Sequence, residues 1–121
     1  MTAIASALND THAEMLSLLA SIYMENNRPE KAAVLLAALD TLGLAQPRQR
    51  VALALAQLRA GKPADAQATL ERVAMSGAID GAFHLVRAQV LTVLERPQEA
   101  GAAMRAYVAL RGATTPTPVT A

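Results

Sequence analysis

The 121-residue chain has no cysteine and no tryptophan, and its only aromatic side chains are Tyr23, Phe83 and Tyr107. Without thiols there is neither a disulfide framework nor a thiolate metal site, which fits a reducing compartment. With so few rings there is little on which the bases of a single-stranded nucleic acid could stack. A charge excess is missing too: 11 basic and 10 acidic residues leave a net +1, and the basic residues are dispersed. Phosphate backbones need clustered Lys and Arg, so nucleic acid is not an expected partner. The longest apolar run, Ala32 to Leu39, stops at Asp40, far short of a membrane span. Residues 1–9 lack the basic start and long apolar core of a secretory signal, so the expected location is the cytoplasm.

Constellations for chemistry are equally scarce. His12 and His84 are the only histidines, and they lack the i,i+4 spacing of a metal pair, so no metal and no cofactor is expected. Asp80 and His84 stand four apart, but Asp80 is better explained as a helix cap. Ser6, Ser17, Ser21 and Ser76 have no neighbouring base or glycine elbow, and the six glycines read as helix terminators. The chain is expected not to be an enzyme.

What is present is repetition. Pro29, Pro63 and Pro97 stand 34 residues apart, each preceded by a basic residue (Arg28, Lys62, Arg96) and followed three positions on by alanine (Ala32, Ala66, Ala100). The same interval carries Ala20 onto Ala54 and Ala88. A 34-residue period with paired helices is that of the tetratricopeptide repeat. The expected fold is all-α: three tandem helix hairpins, residues 11–45, 46–79 and 80–112, forming a short right-handed superhelix with a concave groove. Residues 1–10 are expected to be a flexible N-terminus and residues 113–121 a flexible Thr/Pro tail.

Local signals place the helices. Thr11-His-Ala-Glu14 reads as a capping box before a helix running to Glu25. Met15, Leu16, Leu19, Ile22 and Tyr23 share one face of it. Proline suits the first helical position, where its missing N–H would be unpaired anyway, so Pro29, Pro47, Pro63 and Pro97 read as helix starts. Gly43, Gly61, Ser76-Gly77 and Gly112 read as stops and Asp80 as an N-cap. Met15, Met75, Met104 and Val108 are expected inside the core.

In tetratricopeptide folds the first helix of each pair lines the inner wall. Matching registers puts Glu14, Ser17, Ser21, Met24 and Glu25 there from the first repeat, and Arg48, Val51, Leu55, Leu58 and Arg59 from the second. Leu85 and Gln89 follow from the third. The partner-binding set is therefore Met24, Arg48, Val51, Leu55, Leu58, Arg59, Leu85 and Gln89. Its apolar middle suits an amphipathic helix or an extended apolar peptide, with Arg48 and Arg59 free to pair with acidic groups of the ligand. Met24 would supply an adaptable contact.

Leu18-Leu19, Ala33-Val-Leu-Leu-Ala-Ala-Leu-Asp-Thr-Leu42, Arg48-Gln-Arg50-Val-Ala-Leu53, Arg87-Ala-Gln89 and Arg105-Ala-Tyr107-Val-Ala-Leu110 are similar in order and spacing to the YscY-type (SctY) chaperones of bacterial type III secretion. The resemblance covers residues 16 to 111. It implies a cytosolic chaperone that binds a small secreted partner of the YscX type, keeps that partner's hydrophobic segment from aggregating and presents it at the export gate. Chaperones of needle or translocator subunits use similar repeats. A generic adaptor scaffold, or a homodimer that covers its own groove, would also fit the residues.

Overall fold

The computed structural model describes residues 2–114, and these form six helices: α1 (Thr2–Glu25), α2 (Pro29–Thr41), α3 (Pro47–Arg59), α4 (Pro63–Met75), α5 (Gly81–Val93) and α6 (Pro97–Thr114). No strand occurs among the described residues. Consecutive helices pack as hairpins, and each hairpin also packs on the first helix of the next: α2 on α3, α4 on α5.

The three hairpin turns are one piece of backbone chemistry repeated. Asn27, Gly61 and Glu95, each two residues before a proline, adopt φ of +59°, +81° and +59°. Their amides donate to Met24 O, Leu58 O and Thr92 O at 3.1 Å in all three turns. The next amides, Arg28, Lys62 and Arg96, reach back to Tyr23 O, Gln57 O and Leu91 O at 2.8, 2.8 and 2.9 Å. This left-handed closure satisfies carbonyls that a helix end would otherwise leave unpaired. Glycine takes that conformation without strain and asparagine tolerates it, whereas glutamate pays a steric penalty. Glu95→Gly is therefore expected to stabilise the fold by about 1 kcal/mol, read as a melting temperature roughly 4 °C higher.

The expected helix starts at Pro29, Pro47, Pro63 and Pro97 are all observed. Asp80 caps α5 by accepting from the Phe83 amide at 2.9 Å. Gly43 and Gly77 terminate α2 and α4 with φ of +73° and +82°. Two boundaries differ. Helix α1 begins at Thr2 instead of Thr11, so most of the segment expected to be a flexible N-terminus is helical, and the capping box at Thr11 and Glu14 is replaced by continuous helix. Helix α6 runs through Gly112 to Thr114, because one glycine inside a helix costs only about 1 kcal/mol against alanine. The rest of the expected Thr/Pro tail, residues 115–121, lies outside the described residues.

The core is built by small residues at close approach. Ala20, Ala54 and Ala88, and Ala32, Ala66 and Ala100, are all buried. One cluster joins Leu36 and Leu39 of α2 to Leu53 and Ala56 of α3, and a second joins Leu70 and Val73 of α4 to Phe83, Val86 and Val90 of α5. Helix α3 thus serves both clusters from opposite faces. Each leucine fully buried there contributes on the order of 1.5–3 kcal/mol. The third hairpin keeps only Ala88, Leu91, Ala100 and Ala103 in a small cluster of its own.

Several residues expected in the core are outside it. Met75 is 87% exposed, and Met15, Met104 and Val108 are also exposed, as are Leu19 and Ile22 on the apolar face of α1. Periodicity puts them on one helix face, but burial requires a neighbouring helix to cover that face.

Asp40, which ends the apolar run of α2, ties the first two repeats together. Its carboxylate accepts from Arg50 Nε of α3 at 2.9 Å and from Arg72 Nη1 of α4 at 2.7 Å. Its side chain is largely buried, whereas those of the two arginines are more open to solvent. Removing the carboxylate leaves the half-sheltered Arg50 unpaired, so Asp40→Ala is expected to destabilise by about 2 kcal/mol in denaturant unfolding. Arg72→Ala, which removes the more exposed partner, is expected to cost about half as much.

Candidate functional site

Helices α3 and α5 pack directly, whereas the backbones of α1 and α3 approach less closely and meet through side chains. Between them lies a pocket of about 280 Å³ lined by Ser17, Ala20, Ser21, Met24 and Glu25 of α1, Leu36 of α2, and Ala52, Leu55 and Arg59 of α3. Two small residues facing each other, Ala20 and Ala52, leave the space. Leu36 forms its buried floor, Met24 and Leu55 its apolar walls, and Glu25 with Arg59 its charged mouth.

Of the eight side chains expected at the inner wall, the structure gathers Met24, Leu55 and Arg59 around this pocket. Val51 is not on the wall. It is 5% exposed and packs with Ala54, Ala66 and Leu70 in the core, because it shares with Ala54 and Leu58 the stripe of α3 that meets α4 and α5. Leu58 is half-buried against that same cluster. Leu85 is half-buried and Gln89 exposed, both on α5 and away from the pocket.

The two arginines also differ from each other. Arg48 does not wait for a ligand: its Nη2 lies 3.4 Å from Glu14 Oε1, in an exposed pair that bridges α3 and α1. Arg59 has no carboxylate within ion-pair distance among the described residues. The pocket mouth therefore carries one uncommitted cation beside one uncommitted carboxylate, Glu25. Such a rim suits a ligand with a polar backbone or charges of both signs on either side of an apolar side chain.

Ala20, Leu36 and Ala52 were missed as lining residues. Ala20 reads as a helix-crossing residue and Leu36 as core, and both descriptions hold, since a pocket floor is core that lacks a cover. A signal for it existed in the run of small side chains, Ser17, Ala20 and Ser21, on one face of α1.

A more polar crevice lies on the α4–α5 junction, lined by Gln67, Glu71, His84, Arg87 and Arg96 among others. Gln67 Oε1 and His84 Nδ1 are buried there without a hydrogen-bond partner. In the 34-residue register Ala74 and His84 replace Asp40 and Arg50, so this junction lacks the ion pair of the previous one. No group of three or more His, Cys, Asp or Glu side chains among the described residues is placed to hold a metal ion. No described helix is long and apolar enough to cross a membrane.

The family model for the tetratricopeptide repeat matches residues 51–114, just over half of the chain. No curated protein matches it. The matched stretch begins inside α3, but α1 and α2 close with the same turn distances as the matched hairpins, so the repeat geometry continues upstream of the match.

Proposed function

The chain belongs to the tetratricopeptide repeat family, a protein–protein interaction scaffold, and from that premise we propose that it holds an apolar segment of another polypeptide in the pocket between α1 and α3. The observation that carries this reading is the exposed apolar wall of Met24 and Leu55 over the Leu36 floor, flanked by the uncommitted Arg59. A single large aliphatic or aromatic side chain of the ligand has room there, with flanking backbone and charges meeting Ser21, Glu25 and Arg59. Ordering a flexible segment is entropically unfavourable, so affinity must come from a few such anchors. Scaffolding of this kind works by binding alone and needs no catalytic group, metal or cofactor.

The finer proposal is a type III secretion chaperone of the YscY type. It acts in the cytoplasm on a small export substrate of the YscX type and delivers it to the export apparatus. Its support is the ordered set of segments between Leu18 and Leu110, together with the physical fit. A substrate exported unfolded carries apolar stretches that need temporary cover, and the pocket offers cover without folding the substrate. Co-expression with the YscX-type protein of the same genome, followed by light scattering, tests it. A stable 1:1 complex is the expected result. Separate elution of the two proteins would refute the secretion reading and leave the general adaptor.

A further inference from the structure

The first and last described helices, α1 and α6, carry matching halves of the interface that is used twice between them. Met15, Leu18, Leu19 and Ile22 of α1 are exposed. Thirty-four residues on, Gln49, Leu53 and Ala56 are buried and Ala52 is half-buried, and a further 34 residues on, Phe83, Val86 and Val90 are buried. In both later repeats the cover is the second helix of the preceding hairpin: Leu36 and Leu39 of α2, then Leu70 and Val73 of α4. The next residues in that series are Met104 and Tyr107 of α6. Met104 is exposed and Tyr107 half-buried, and Val108 beside them is 61% exposed.

We propose that α6 of one copy docks on α1 of a second copy, so that the chain associates head to tail through the α2–α3 type of packing. This interface meets the pocket between α1 and α3 only at Ser21, its apolar face of Met15, Leu18, Leu19 and Ile22 lies outside that pocket, and it does not depend on what the pocket binds. Three further observations specify a second copy as the occupant. Charges are complementary in sign: α1 carries Asp10, Glu25 and the Arg48-paired Glu14 with no Lys or Arg, whereas α6 carries Arg105 and Arg111 against the single Glu99. Lengths are complementary as well, since α1 extends upstream and α6 downstream of their counterparts, and in an antiparallel pair both extensions fall at the same end. Finally, Thr92 and Met104, which line a crevice on the last hairpin, are the register equivalents of Met24 and Leu36, which with α3 line the pocket of the first repeat. In the docked pair, Leu18 and Ser21 of the second copy take the places of Ala52 and Leu55.

Repeat arrays in water normally end in polar capping faces, and among the described residues neither terminal helix presents one. The contact is heterologous, with different patches meeting, so it leaves one free face of each kind after every addition.

The test uses two single variants of the full chain, Ile22→Asp on α1 and Val108→Asp on α6, both at exposed positions, with circular dichroism confirming that each remains helical. Sedimentation analysis of the unaltered chain is expected to show mass rising with concentration, and each variant alone is expected to be monomeric. Mixed together they are expected to form a 1:1 dimer and nothing larger, because one contributes an intact α6 and the other an intact α1. A monomeric unaltered chain at every concentration would overturn the proposal. So would a mixture that stays monomeric, or a variant that associates as well as the unaltered chain, the mark of a back-to-back pair that uses only one face.

Discussion

Ala66→Glu is expected to abolish the fold. Ala66 is 0% exposed and lies where α4 crosses α3, touching the cluster of Val51, Ala54, Leu70, Val73, Phe83 and Val90. Glutamate there must either bury an unpaired carboxylate or push two helices apart by several methylene widths. Breaking charge neutrality in such a place costs about 3–5 kcal/mol, and overpacking adds about 1–3 kcal/mol. A domain of this size has about 5–15 kcal/mol in total. Far-ultraviolet circular dichroism is expected to show most helicity lost at room temperature. Ala68→Glu, two residues on and exposed on the same helix, is expected to stay within about 0.5 kcal/mol of the unaltered chain. If the two variants behaved alike, the packing of α4 on α3 described here would be wrong.

Leu55→Glu is expected to remove partner binding while leaving the helices in place. Leu55 is half-buried, with one side on the core and the other on the pocket. A carboxylate at this position takes away an apolar wall and sets a second acid beside Glu25. Loss of a central anchor in a small interface is worth about 2 kcal/mol or more, which is at least a tenfold rise in Kd. Because Leu55 also touches the core, Ser21→Phe serves as the second variant: Ser21 is exposed, lines the same pocket, and a ring there fills the cavity without removing any core side chain. Both are expected to fail in co-purification with the partner, whereas Gln89→Glu, on α5 outside the pocket, is expected to retain it. Retention by both pocket variants would move the binding site elsewhere.

How much of this could be read from residues alone differs between the fold and the site. Helix starts and turns were legible because they depend on local backbone chemistry: a proline at the first helical position, a left-handed residue two positions before it, an aspartate at Asp80. Even so, Asn27 and Glu95 occupy that left-handed position without announcing it, and only their alignment with Gly61 in the structure shows the common geometry. The pocket was legible in part. Met24, Leu55 and Arg59 were named from register, but Val51, expected on the wall, is buried in the core, and the Arg48–Glu14 pair shows that a cation near a groove can already be partnered within the chain.

Asp40 was the largest omission. A single acidic residue inside an apolar run gives no sign that Arg50 and Arg72, from two other helices, converge on it. Convergence of this kind depends on how helices cross, which no local pattern encodes.

The 34-residue recurrence by itself determined the hairpin count, the turns and the alanine contacts, because steric and hydrogen-bonding preferences of a few residues enforce them wherever they occur. Tertiary structure alone decided which apolar faces are covered. Leu19 and Leu53 are the same residue in the same register, yet Leu53 lies beneath α2 whereas no described helix precedes α1 to cover Leu19. Burial is a relation between neighbours: a covering helix puts one leucine in the core, and where no described helix covers it its twin stays on the surface.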